Sequence, residues 1–105
     1  MGKILFVDDD ETMRTAVALT MQHLDILIAS SKEQAVNILK KEEISLLLTD
    51  LYMPEAQSGF ELIKLAREMD EDLYIVVITG FGTIENAVKA VKYGSDDFIK
   101  RTSPR

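Results

Sequence analysis

The sequence predicts an α/β domain built on a doubly wound parallel sheet of five strands. Five short apolar runs alternate with four amphipathic segments, the pattern of strands joined by crossover helices. Leu46-Leu47-Leu48 and Ile75-Val76-Val77-Ile78 are apolar at every position, as strands of a parallel sheet covered on both faces must be. Polar residues gather where the runs end, and in such folds ligands bind beyond the carboxyl ends of the strands.

The first strand, Ile4–Val7, leads into Asp8-Asp9-Asp10 and a helix from Glu11 to about His23, with Met13, Ala16, Val17, Thr20 and Leu24 on one stripe. Asp10 stands where an N-cap belongs. Ile26–Ala29 is the second strand. A Ser31-x-x-Gln34 capping box then opens a helix over Lys32–Lys41 that buries Ala35, Ile38 and Leu39. The third strand, Leu46–Thr49, ends in Asp50. Ser58-x-x-Glu61 opens the third helix, Gly59–Met69, which buries Leu62, Ile63 and Ala66. Tyr74–Thr79 is the fourth strand. The fourth helix starts at Thr83, carries Ile84, Ala87, Val88 and Val91 on one face, and stops at Gly94. A weaker run, Asp97–Ile99, closes the sheet and is followed by Lys100-Arg101.

Composition narrows the function. The 105 residues suit one domain, residues 1–105, and twelve Lys and Arg against eighteen Asp and Glu leave a net charge of −6. That balance excludes nucleic-acid binding by this segment, which needs a basic face. The absence of Cys excludes thiol chemistry and cysteine-ligated zinc, and a lone histidine, His23, argues against a histidine metal site or a Ser-His-Asp triad. No run reaches the ~18 apolar residues of a membrane span, and the apolar run at the N-terminus is too short for a signal peptide. The expectation is a cytoplasmic protein with no membrane contact.

The strand ends carry the chemistry. Asp8, Asp9 and Asp50 at close range repel one another, and a hard divalent cation with oxygen ligands relieves the repulsion. Magnesium fits, since it takes one or two carboxylates and keeps several waters. Beside such an ion Asp50 is a carboxylate nucleophile toward a phosphoryl group. Positive charge on the equatorial oxygens would come from the metal, the Thr79 hydroxyl and a cation after the fifth strand.

This constellation resembles the receiver domain of bacterial two-component response regulators. The resemblance covers the chain up to Arg101 and rests on the acidic pair after strand one, Asp50-Leu51-Tyr52-Met53-Pro54, Thr79, and Gly94-Ser95-Asp96-Asp97-Phe98. It implies a flavodoxin-like receiver fold and a phosphoacceptor, Asp50, that takes its phosphoryl group from a sensor histidine kinase. Asp8, Asp9 and Asp50 would hold Mg2+ with the backbone carbonyl of Tyr52, and Thr79 and Phe98 would be the switch pair. The product would be a signalling switch, not an enzyme, that relays phosphorylation to an output domain or partner in transcription regulation. Gly80-Phe81-Gly82-Thr83-Ile84-Glu85 and Ala87-Val88-Lys89-Ala90-Val91 look most like receivers of sigma-54-dependent transcription activators.

Two departures from the family pattern stand out. The family places a lysine, followed by proline, at the position of Arg101, and here Thr102 follows. Arg101 is the expected substitute, with Lys100 the alternative; arginine keeps the charge but differs in geometry. The alternative function is a receiver-like interaction module that works without phosphate. The chain also ends where the family continues into a fifth helix, so a domain truncated after strand five is expected. One sheet face would then be uncovered, and at ~25 cal/mol per Å², about 300 Å² of exposed apolar area forfeits roughly 7 kcal/mol. A homodimer through that face is the expected remedy.

Overall fold

The computed structural model describes residues 2–51, 58–80 and 82–100. They form β1 (Lys3–Val7), α1 (Glu11–Thr20), β2 (Ile26–Ala29), α2 (Lys32–Lys41), β3 (Ile44–Thr49), α3 (Ser58–Met69), β4 (Tyr74–Thr79), α4 (Ile84–Tyr93) and β5 (Asp97–Lys100). The five strands make one sheet, all parallel, in the order β2-β1-β3-β4-β5. The predicted doubly wound sheet is therefore present, with four helices among the described residues.

Right-handed crossovers along that order put α1 on one face and α2, α3 and α4 on the other, where α3 packs between its two neighbours. The core lies on the three-helix face. Leu5, Val7, Leu47, Ile75 and Val77 meet Ala35, Leu62, Ile63, Ala66 and Ala90, all of them buried. The other face is only partly covered. Phe6 and Val76 are buried there, but Ile4, Leu46, Leu48 and Ile78 are half-buried and Ile99 is 48% exposed. Helix α1 buries none of its residues completely. Among the described residues α1 is the one helix on this face.

Local signals set the helix ends. Asp10 caps α1 by accepting from the amides of Thr12 and Met13. Ser31 accepts from Gln34 N at 3.2 Å, and Gln34 Oε1 accepts from Ser30 N at 2.7 Å, so the capping box closes one residue earlier than its usual reciprocal bond. Thr83 accepts from Asn86 N, and Gly94, at φ 122°, ends α4 in the left-handed region that favours glycine. The side chain of Ser58, the expected cap of α3, lies outside what is described.

Several boundaries differ from the sequence reading, among them the starts of β1 at Lys3 and of α3 at Ser58. Helix α1 stops at Thr20 instead of His23, because the chain tightens into a turn in which Leu24 N donates to Met21 O at 2.9 Å. Strand β3 begins at Ile44, and β5 runs on through Lys100.

One side chain ties the amino ends of β4 and β5 to the helices. Arg67, near the end of α3, donates through Nη1 to the carbonyls of Glu71 at 2.8 Å and Leu73 at 2.7 Å, and through Nη2 to Gly94 O at 2.8 Å and Asp96 Oδ2 at 2.7 Å. Asp96 Oδ2 also accepts from Ile75 N at 2.8 Å.

Candidate functional site

Residues Val7 and Thr49 are the last paired residues of the two central strands, and Thr49 in turn pairs with Val77. Asp8 and Asp50 follow them directly, on neighbouring strands about 4.8 Å apart. The backbone places both: Asp8 N donates to Ala29 O and Asp50 N to Val7 O, each at 3.1 Å. This is the point where the strand order reverses, the crevice in which doubly wound sheets bind ligands.

The two carboxylates are 2% and 1% exposed, so their charge is held in a low-dielectric setting that favours a nearby cation. Asp50 Oδ1 accepts from Leu51 N at 2.7 Å, which fixes the rotation of the carboxylate. Asp8 Oδ1 accepts from Asp10 N at 3.0 Å, while Asp9 stays exposed. Of the three consecutive acids, Asp10 caps α1, as its place in the sequence suggested, and Asp8 stands at the strand end beside Asp50.

Thr79 is fully buried at the end of β4 and lies in register with Lys100 on β5. Lys100 is exposed, and its stem packs on the main chain of Gly82, where an added Cβ would lie 2.8 Å from both Lys100 Cβ and Cγ. Phe98 is partly buried against the core and pairs with Val77. Alternation along the strands puts Phe98 and Lys100 on the same face as Val77 and Thr79. Lys100 therefore shares the face of Thr79. Arg101 and Tyr52, expected as the cation and as a carbonyl ligand, lie outside the described residues, as does Phe81.

Magnesium was expected on Asp8, Asp9 and Asp50. Among the described residues no three acidic or histidine side chains converge closely enough to hold a metal by themselves. Two buried carboxylates beside an exposed third are an open oxygen-donor set, and that suits an ion which keeps several of its waters.

Two residues at this edge were missed in the sequence. Arg14, one turn into α1, donates through Nη1 to Asp8 O at 2.8 Å and staples the β1–α1 turn. Gly59 brings the start of α3 onto the main chain of Leu51, with Gly59 N donating to Leu51 O at 3.2 Å. Arg14 carries no motif signal; Gly59 was visible as a glycine inside a helical pattern.

Comparison with known proteins agrees with this geometry. Residues 4–105 match the family profile of the response regulator receiver domain. An NtrX-like response regulator of Rickettsia felis is 28% identical over 93% of this chain, which spans about a fifth, 21%, of that protein. A chemotaxis protein CheY homolog of Campylobacter jejuni is 36% identical, covering 92% of this chain and 78% of its own length. A crystal structure of a response regulator protein from Burkholderia pseudomallei, with a phosphorylated aspartic acid, calcium ion and citrate, superposes with a TM-score of 0.89. It is 26% identical, and the match covers 99% of this chain and 62% of that one.

Proposed function

The chain belongs to the response regulator receiver family, and on that premise we propose that it is a signalling switch phosphorylated on Asp50 by a sensor histidine kinase. The observation that carries the proposal is the placement of Asp8 and Asp50, both buried, at adjacent strand ends with Thr79 on the next strand. A carboxylate oxygen of Asp50 attacks phosphorus as the bond to the donor nitrogen breaks, and the electron pair returns to the imidazole of the kinase. The Leu51 amide holds the carboxylate for that attack, which is the positioning that phosphoryl transfer chiefly requires.

Asp8 and Asp9, with Asp50 and the carbonyl of Tyr52, would hold Mg2+, which supplies positive charge to the phosphoryl oxygens when bound. The calcium ion in the Burkholderia pseudomallei protein supports a divalent site in this family. Thr79 would move to the phosphoryl group and Phe98 would turn inward. Arg101 remains the proposed cation, with Lys100 as its alternative. The domain is proposed to relay its state to an output domain or partner in transcription regulation, from a cytoplasmic location. Among the described residues no helix is long and apolar enough to cross a membrane.

The test is intact mass after incubation with acetyl phosphate and Mg2+. One phosphoryl group should add to the wild type and none to Asp50→Asn. Equal labelling of that variant removes Asp50 from the role, and an unlabelled wild type favours the phosphate-independent interaction module.

A further inference from the structure

We infer that Gly59 is a positioning residue for the Asp50 carboxylate, an inference that rests on the phosphoacceptor reading above. A Cβ built on Gly59 would overlap O and Cα of Leu51 and lie 2.6 Å from its carbonyl carbon. Gly82 and Gly94 meet the stems of Lys100 and Arg67, and Gly2 meets mainly the Ser45 side chain; Gly59 meets main chain alone, and more closely than any of them. Leu51 cannot yield easily. Its side chain is fully buried in the core, and its two peptide groups are tied on opposite sides. Its carbonyl accepts from Gly59 N at 3.2 Å, and its amide donates to Asp50 Oδ1 at 2.7 Å.

A displacement at residue 59 therefore passes through one residue to the carboxylate. Asp50 N is anchored to Val7 O, so the main chain before Leu51 stays with the sheet and the strain falls on the Leu51 amide and the carboxylate it orients. Intrinsic propensity argues the other way, since glycine inside a helix is disfavoured against alanine. Its presence at the second residue of α3 has a steric reason: only hydrogen fits between the helix and the residue that holds Asp50.

The test compares Gly59→Ala with wild type in the 105-residue chain, using acetyl phosphate and Mg2+ as probes and normalising rates to the folded fraction by circular dichroism. A displacement near 1 Å costs on the order of 100-fold in a positioned reaction, so a fall of roughly 10- to 100-fold in the maximal labelling rate is expected. The half-saturating acetyl phosphate concentration should stay close to that of wild type. Gly94→Ala is the control. It strains a φ of 122° at the opposite edge of the sheet and should lower stability while leaving the normalised rate unchanged. Sucrose, which favours the folded state, is added to all samples.

A wild-type rate in folded Gly59→Ala overturns the inference. So does an equal loss in Gly94→Ala, or a Gly59→Ala chain that stays unfolded in sucrose, because each makes the glycine a purely structural requirement. Wild type that takes no label on Asp50 instead removes the phosphoacceptor reading, and this inference with it.

Discussion

Replacing Arg67 by methionine removes the guanidinium and keeps most of the stem. Six hydrogen bonds are lost; four at 2.7–2.8 Å, to the carbonyls of Glu71, Leu73 and Gly94 and to the Asp96 carboxylate, carry the sum, beside a second bond to Gly94 O at 3.0 Å and a long one to Asp70 O at 3.4 Å. A net hydrogen bond contributes about 0.5–1.5 kcal/mol, which bounds the loss at roughly 2–6 kcal/mol. The lower half of that range applies, because Arg67 and Asp96 side chains are 23% and 37% exposed and the freed acceptors at Glu71 and Asp96 reach water. The expected cost is about 3 kcal/mol, a large part of the ~5–15 kcal/mol that holds a domain folded. Urea unfolding followed by far-UV circular dichroism should show a lower midpoint at unchanged slope, and the melting temperature should fall by roughly 10–20 °C. Arg67→Lys should recover less than half of the loss, since one ammonium cannot span acceptors on both turns. A loss below about 1 kcal/mol in Arg67→Met would refute the reasoning and reduce the contact to an ordinary surface ion pair.

Thr79→Val keeps the buried volume and removes the hydroxyl, so labelling of Asp50 should slow. The change in the Phe98 ring resonances on phosphorylation should also disappear, and an unaltered response would remove Thr79 from the switch. For the half-covered sheet face, light scattering of the 105-residue polypeptide should show a dimer at micromolar concentration, and Ile99→Lys should return it to monomer. A wild-type monomer that melts high and binds no hydrophobic dye refutes that pairing. Glu42, 2.6 Å from Lys3 Nζ, raises the lysine pKa above its ordinary value of 10.5. The folded value then exceeds the unfolded one, so the contribution is complete at neutral pH and is lost as pH climbs through the raised value. Lys3→Met should show a shallower alkaline loss of stability, and an identical profile would dismiss the pair.

The fold and the acidic edge were legible because both are written in nearest neighbours. Period and capping residues place α2 and α4 to within a residue, and helix geometry picks out Asp10 as the cap among three consecutive aspartates. The stripe of α1 misled at its far end. Thr20 and Leu24 keep the spacing of a helix face, but α1 buries no residue completely and nothing holds that last turn in helical form. Strand β3 gained Ile44 and Ser45 because a buried residue beside an exposed one reads as a boundary until the partner strand is known. Arg67, Arg14 and Gly59 were not legible as site or clamp residues. Apart from the Asp96 carboxylate on Arg67, their partners are main-chain groups, up to 27 residues away for Arg67 and Gly94, and no side-chain pattern announces a carbonyl.

The placement of β1 between β2 and β3 also sets a timetable for assembly. Lys3 pairs with Ile44, so the strand made first must wait for a partner some forty residues behind it. At ~5–20 residues per second on the ribosome, that wait is several seconds, during which β1 has only β2 beside it. Parallel pairing over such separations is intrinsically slow, and the unpaired edge of β1 is a place where another nascent chain can join. Asp8 acquires its acidic neighbour Asp50 only when β3 docks beside β1. A divalent ion that binds the pair thus discriminates between chains on the two sides of that step, and its presence during translation should draw the central pairing forward by mass action.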